Sequence, residues 1–269
     1  MEFGRTFESG LREWLNVHSL GRKPRSQEFN GEIVGIIRRR WPDTRQLCEK
    51  ITSAEVLSFA ERVAHYCPSR WNAIVSALRF ALPGQSHLLK RRPVRAKERP
   101  ILSQLEFARL LAELDRLPQS RAGLVIRFLA HTGLRINEAR KLRWSDVHPD
   151  GILVPASITK NGRPRQIPLV NGITETLERL KTLQDGLDHV IPQAECKRAL
   201  LTACARAGLP RLSHHDFRHL FATRCVQSGV DLPTVARWLG HSDGGALLGK
   251  TYYHLADEHS RAMAMRVAI

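Results

Sequence analysis

One stretch of this 269-residue sequence, Gly151 to Val170, has the pattern of β-strands in a chain that otherwise has helical patterns. It reads GILVPASITKNGRPRQIPLV, with a short strand-like run on either side of Asn161-Gly162. Asn-Gly is the strongest short hairpin signal, because both central positions of a type I′ turn need a positive φ. The sequence therefore predicts a mainly α fold with a small β-sheet or hairpin in its second half, an α+β class.

Helical periodicity is clear on both sides of a central boundary. In SAEVLSFAERVAHY, Ser53 is a candidate N-cap and the apolar residues that follow it share one face. In SQLEFARLLAELDRL, Ser103 and Glu106 have the spacing of a capping box. Another helix is predicted over Ala122 to Thr132.

The stretch LLKRRPVRAKERPILS has no clear apolar period and is the best candidate for a linker. We expect a helical domain over residues 1–88, a basic linker over 89–101 and a second domain over 102–269. The linker's charge suits it to lie along a phosphate backbone, and a merely solvated linker stays open as the alternative. Its cationic residues are Lys90, Arg91, Arg92, Arg95, Lys97 and Arg99.

The formal net charge of +16 and the pI near 10.5 favour a polyanionic partner, with nucleic acid first among the candidates. An ordinary basic protein remains the alternative.

The five scattered cysteines form no C-x-x-C pair, so neither a disulfide framework nor a zinc ribbon is indicated. The sequence has no apolar run of membrane-spanning length and no secretory h-region, so we expect a cytoplasmic protein without a membrane partner.

Two polar segments around the predicted strands contain candidate functional residues. In HTGLRINEARKLRW, Arg135 and Glu138 are three residues apart on one helix face, so Glu138 could support the guanidinium. A surface ion pair explains that spacing equally well. At the predicted hairpin, Lys160, Arg163 and Arg165 compete for any role in a DNA groove, and the local sequence does not rank them.

A third segment, LSHHDFRHLFATRCVQSG, has well-defined helix limits. Ser213 and Asp216 form a capping signature at its start. His215, Arg218 and His219 fall at positions i, i+3 and i+4, which makes one polar face on the first two turns. A helix N-terminus with histidine and arginine side chains is suited to bind an anion.

A zinc site at His215 and His219 is the alternative for this face. The pair lacks the glutamate of the H-E-x-x-H motif and an obvious third ligand. We therefore predict neither a metal nor another cofactor.

The last segment, DLPTVARWLGHSD, is predicted to be a helix that ends at Gly240, with His241 projecting from its end. Tyr252 and Tyr253 follow eleven residues later. The candidate residues of the second half are thus arginines, histidines, a lysine and a tyrosine, and its sequence has no acidic cluster for magnesium, no P-loop and no serine triad. This set fits metal-free phosphoryl transfer, with arginines neutralising charge, histidine and lysine moving protons and tyrosine as nucleophile.

These motifs resemble those of the tyrosine recombinases, also called the phage-integrase family. TGLRINEARKLRWSDV looks like the first arginine box of that family, and ITKNGRPRQIPL looks like its β-hairpin lysine segment. HHDFRHLFAT, GVDLPTVARWLGHSD and TYYHL are similar to its second box in order and spacing. The resemblance extends from about Leu102 to the C-terminus, and the first domain is similar only in kind to a helical core-binding domain.

The resemblance implies a role for each matched residue. Arg135 and Arg218 correspond to the paired catalytic arginines, and His215 is the histidine three residues before the second. Lys160 corresponds to the general acid that protonates the departing 5′ hydroxyl, and His241 to the LGH histidine that hydrogen-bonds the scissile phosphate. Glu138 and His219 are supporting residues.

The resemblance also selects one of the two tyrosines. The family's nucleophile precedes its histidine by two residues, as Tyr252 precedes His254. Neighbours on a helix point about 100° apart, and Tyr252 shares a stripe with Leu248 and Leu255. Tyr252 is therefore the predicted nucleophile and Tyr253 a neighbour at a variable position; docking of the tyrosine in cis or in trans stays open.

The function implied is site-specific recombination of duplex DNA through a 3′-phosphotyrosyl intermediate, without metal or ATP, for integration or excision of a mobile element. The resemblance further implies a C-shaped clamp on double-stranded DNA, a tetrameric synapse and association with the nucleoid when DNA is bound, and it allows accessory DNA-bending proteins. A type IB topoisomerase and an inactive DNA-binding relative are the alternatives.

Overall fold

The computed structural model describes residues 4–94, 100–117, 121–183, 188–191 and 196–241. The chain divides into two compact units, residues 1–97 and 98–269. The described parts contain helices and one small antiparallel sheet, so the predicted α+β class is confirmed. No helix in these described ranges is long and apolar enough to cross a membrane.

The first unit is mainly helical in the residues that the structure describes. Its α-helices are α1 (Phe7–Ser19), α2 (Pro24–Arg40), α3 (Ser53–Val63) and α4 (Pro68–Ala81). Its core combines aliphatic and aromatic side chains: the ring of Trp41 lies 4.6 Å from that of Phe7 and 5.1 Å from that of Phe59, centroid to centroid. Such aromatic pairs stabilise a core beyond the area that they bury.

Helix α3 begins one residue earlier than a Ser53 N-cap would predict. The N-cap is Thr52 and not Ser53, because Thr52 completes a capping box with Glu55. The Glu55 carboxylate accepts the Thr52 backbone N–H at 2.8 Å, and the Thr52 hydroxyl accepts the Glu55 N–H at 3.3 Å. Such a cap typically contributes about 1 kcal/mol.

The beginning of the predicted linker is bound to the first unit. The indole Nε1 of Trp71 donates to the Lys90 carbonyl at 2.9 Å, and Asn72 exchanges hydrogen bonds with the Arg92 main chain, both of 2.8 Å. The Arg92 guanidinium stacks over the Trp71 ring, with Cζ 3.9 Å from the ring centroid. Residues 90–92 therefore belong to the packing of this unit.

The second unit surrounds a buried helix. Helix α6 (Ala122–Thr132) is apolar on nearly all sides, since it packs against α5, α8 and α10 at once. The other helices described here are α5 (Gln104–Asp115), α7 (Ile136–Ala139), α8 (Ile173–Thr182), α9 (Lys197–Arg206), α10 (His214–Gln227) and α11 (Leu232–Leu239). The predicted capping box of Ser103 and Glu106 is confirmed at the start of α5.

The strands of the second unit are β1 (Val147–His148), β2 (Gly151–Val154) and β3 (Arg165–Ile167), in the order β1-β2-β3. Strands β2 and β3 are antiparallel, but the prediction of a two-residue turn is wrong. The last pair is Val154 with Arg165, and residues 155–164 form a longer connection that contains Asn161-Gly162. Pro155 and Pro164 are the first and last residues of this connection, and a proline has no N–H to extend the ladder.

Candidate active site

Arg218 joins the two loops that bear the other candidate residues. It lies in the second turn of α10, and its side chain is buried. Its Nη1 donates to the carbonyl of Gly133 at 2.8 Å, and its Nη2 donates to the carbonyl of Leu239 at 2.7 Å. Gly133 lies two residues before Arg135, and Leu239 lies two residues before His241. The geometry therefore assembles three distant parts of the sequence around one guanidinium.

The start of α10 has the capping box that the sequence predicted. The Asp216 carboxylate accepts the backbone N–H and the hydroxyl of Ser213, both at 2.7 Å. His215 is exposed and His219 half-buried on the same helix face, and their rings meet edge to face with centroids 4.8 Å apart. Both imidazoles thus lie on the helix that holds Arg218. Among the described residues, no group of three or more His, Cys, Asp or Glu side chains could hold a metal ion.

Gly133 is required by its backbone conformation and by its neighbours. Its φ of 62° is left-handed, where a Cβ is disfavoured. A Cβ at this position would lie 2.5 Å from Cδ1 of Phe221 and 2.6 Å from Cδ2 of Leu239. The carbonyl that holds Arg218 can therefore occupy its place only because residue 133 has no side chain.

We expect Gly133→Ala to destabilise the second unit strongly. The left-handed conformation costs alanine about 1–2 kcal/mol, and the overpacking adds about 1–3 kcal/mol. Gly162→Ala is the matched control, because Gly162 has a φ of 70° but no atom within 4 Å of the added Cβ. Urea unfolding should give a larger loss of unfolding free energy for Gly133→Ala than for Gly162→Ala. Equal losses in the two variants would contradict the steric account.

Arg135, Glu138 and Arg165 form a charged cluster next to this loop. Arg135 Nη1 donates to Glu138 Oε1 at 2.8 Å, and Arg165 Nη2 donates to Glu138 Oε2 at 2.6 Å. The side chains of Glu138 and Arg165 are only 3% and 5% exposed, whereas that of Arg135 is 31% exposed. Of the three, Arg135 is thus the one open to a solvent-borne ligand.

Glu138 is held ionised by its partners. Burial raises the pKa of this carboxyl, but the hydrogen bond and charge of Arg165, followed by the hydrogen bonds from Arg135, outweigh burial and leave the pKa below its usual value. The result is a buried carboxylate that fixes the orientation of the Arg135 guanidinium. The helical spacing of Arg135 and Glu138 indicated this pair, but not the second arginine.

His241 lies beside the connection between β2 and β3. Its backbone N–H donates to the Ala236 carbonyl at 2.9 Å, and it follows Gly240, whose φ of 68° ends α11. A cavity of about 230 Å³ separates α11 from the connection. The residues around it include Arg163, Arg165, Arg237 and His241. Lys160 lies exposed on the same connection.

The other predicted residues are placed as follows. Lys90 and Arg91 lie exposed on the first unit, and Arg163 is exposed on the second. Arg165, expected as a DNA contact, is buried and bonded within the protein. Strand alternation was the available signal, since Arg165 and Ile167 share the buried face of β3 and Gln166 is exposed. The predicted residues Arg95, Lys97, Arg99 and Tyr252 lie outside the described residues.

The fold and the site together define a class of protein. It is mainly helical, and arginines and histidines lie together at helix ends beside a small sheet. The phage integrase family pattern matches residues 100–259. The chain therefore belongs to the phage integrase family, the tyrosine recombinases.

Two curated relatives give the extent of the similarity. The integrase of Escherichia phage 186 is 25% identical over 95% of this chain and 75% of its own length. A tyrosine recombinase of Thermosipho africanus is 26% identical over 63% of this chain, and the aligned part spans 62% of that protein.

Solved structures show the same fold. The Tn1549 transposon integrase in complex with transposon right end DNA superposes with a TM-score of 0.74 at 15% identity, over 98% of this chain and 100% of that one. A lambda integrase tetramer bound to a Holliday junction gives 0.71 at 19% identity, over 90% of this chain and 79% of that one. At this identity the likeness extends to the fold alone.

Proposed function

We propose that this protein is a site-specific DNA recombinase that cleaves and rejoins duplex DNA through a 3′-phosphotyrosyl intermediate, without metal or ATP. One observation carries the proposal. The Arg218 guanidinium donates to the Gly133 carbonyl, two residues before Arg135, and to the Leu239 carbonyl, two residues before His241, which supports a shared role for these three residues. Membership in the family supports the reaction class, and integration or excision of a mobile element is the proposed role.

The reaction proposed is a pair of phosphoryl transfers. The Tyr252 hydroxyl attacks the scissile phosphorus, the bond from phosphorus to the 5′ oxygen breaks, and Lys160 gives that oxygen its proton. Arg135 and Arg218 neutralise the non-bridging oxygens as charge develops, and His241 donates a hydrogen bond to them. His215 takes the tyrosine proton. A 5′ hydroxyl from the partner strand then attacks the phosphotyrosine, which releases the enzyme and rejoins the DNA.

The proposed partner is double-stranded DNA, bound by both units. The basic residues Lys90, Arg91, Arg163 and the linker arginines supply charge for phosphate contacts. The integrase structures of the same fold contain DNA, and one is a tetramer on a Holliday junction. They support a tetrameric synapse for this chain as well, and accessory DNA-bending proteins are compatible with it.

Covalent capture tests the proposal. The protein is incubated in EDTA with randomly nicked DNA of its source genome, the reaction is stopped with SDS, and the protein-linked DNA is sequenced. We expect the protein to be linked to the 3′ ends of broken strands, at breaks that recur at one short sequence. A suicide duplex containing that sequence should then give the adduct in good yield.

Two results would count against this function. Absence of any protein–DNA adduct would exclude the phosphotyrosyl reaction. Robust relaxation of a supercoiled plasmid that lacks the captured sequence would instead identify a topoisomerase, because relaxation needs cleavage and resealing but no partner site.

A further inference from the structure

Arg165 occupies a position that no substrate contact explains. Its side chain is 5% exposed, and its guanidinium has two partners: Nη2 donates to Glu138 at 2.6 Å and Nε donates to the Trp238 carbonyl at 2.8 Å. Its Nη1 also lies 3.1 Å from the place where a Cβ on Gly240 would be, directly before His241. Arg165 therefore connects Glu138, in α7, to the end of α11.

The charges of the cluster explain why a second arginine is useful there. Glu138 alone with Arg135 would make a neutral pair, and a neutral pair attracts an anion weakly. With Arg165 added, two positive charges share one negative charge, and the three side chains sum to +1. Because Arg135 is the exposed member, the surplus is available to a ligand at Arg135.

The position of Arg165 in β3 adds a geometric consequence. Residues 155–164, which include Lys160, end directly at Arg165. The hydrogen bond to Trp238 fixes this end of the connection against α11. One side chain thus holds the Lys160 connection, the α11 end and Glu138 in one arrangement.

We propose that Arg165 is a positioning residue that leaves Arg135 with net positive charge by sharing Glu138, and that it orders the Lys160 connection. The inference rests on the proposed function, since it assigns Arg135 to the scissile phosphate. A charge-sharing role for Arg165 and a purely structural role predict different results for one variant. If Arg165 acts through charge, removal of the Glu138 charge should compensate for its loss.

The test uses the suicide duplex with protein in saturating excess, so that the rate of adduct formation reports the chemical step. The variants are Arg165→Met, Glu138→Gln and the double variant Arg165→Met/Glu138→Gln. Arg165→Met should slow cleavage about 10²-fold, as expected for loss of a preorganised electrostatic contact. The double variant should recover about tenfold over Arg165→Met, because the cluster regains its charge of +1.

Two controls separate charge from folding. Arg127→Met removes another arginine paired with a carboxylate, Asp115 at 2.9 Å in the same unit, and should cleave at the wild-type rate. Arg165→Lys keeps the charge, so it should cleave faster than Arg165→Met. Because lysine cannot reach both partners, it should cleave more slowly than the wild-type protein. Thermal unfolding of each variant shows whether it folds. If Arg165→Met does not fold, Arg165→Lys takes its place in the comparison.

Each outcome bears on the inference. A double variant as slow as Arg165→Met, or slower, would overturn the charge-sharing role, and so would a wild-type rate for Arg165→Met. If the wild-type protein itself forms no adduct, the proposed function fails instead. The two failures are therefore distinguishable.

Discussion

Tyr252→Phe is expected to bind DNA as tightly as the wild-type protein and to form no covalent adduct with it. The change removes one oxygen and keeps the ring, so packing is preserved while the nucleophile is lost. Without the phenolic oxygen of residue 252 no phosphotyrosyl bond can form there, so the adduct should be absent. Gel shift measures binding, and SDS gels of the suicide-duplex reaction measure the adduct.

Tyr253→Phe is the matched control, because it removes the same atom one residue away. It should form the adduct at nearly the wild-type rate. An adduct formed by Tyr252→Phe and lost in Tyr253→Phe would move the nucleophile to the neighbouring residue. Since both tyrosines lie outside the described residues, this prediction depends on sequence spacing and family membership alone.

Arg218→Lys is expected to lose cleavage almost completely while DNA binding changes little. Lysine keeps the positive charge, but a single ammonium cannot reproduce the planar fork that reaches two carbonyls. The Gly133 and Leu239 carbonyls were satisfied at 2.8 and 2.7 Å, and one buried acceptor left without a donor costs about 1–3 kcal/mol. Misplacement of the loops and loss of transition-state charge together should slow cleavage at least about 10²-fold.

The control for Arg218→Lys is Arg224→Lys, on the same helix. Arg224 is half-buried and stacks over Phe107, with Cζ 4.9 Å from the ring centroid. Both variants lose a guanidinium from α10, but only Arg218 contacts the loops of the site. Single-turnover cleavage should remain near wild type in Arg224→Lys. If Arg218→Lys cleaved equally well, Arg218 would have no place in the chemistry.

Local signals predicted the helices well because caps are local. Ser103 with Glu106 and Ser213 with Asp216 cap their helices as the sequence indicated. The error at Ser53 was also local: Thr52 has glutamate at the third helical position, which Ser53 lacks. The capping-box spacing, a Ser or Thr three residues before a Glu, by itself selects Thr52.

Long-range contacts explain what the sequence could not reveal. Arg165 bonds Glu138 and Trp238, which are 27 and 73 residues away, and no periodicity specifies such partners. The turn between β2 and β3 was predicted wrongly for a different reason. Asn161-Gly162 is a turn signal, but the flanking prolines end the ladder before that turn can close it.

The anchors of Arg218 have a consequence for how such a site can change in evolution. Both acceptors are main-chain oxygens, and every amino acid supplies the same carbonyl. Positions such as 239 can therefore be substituted without loss of the acceptor, provided that the backbone keeps its course and residue 133 stays glycine. A guanidinium held in this way depends on the course of the backbone more than on the side chains at the acceptor positions. The arrangement can therefore be retained while the sequence diverges extensively.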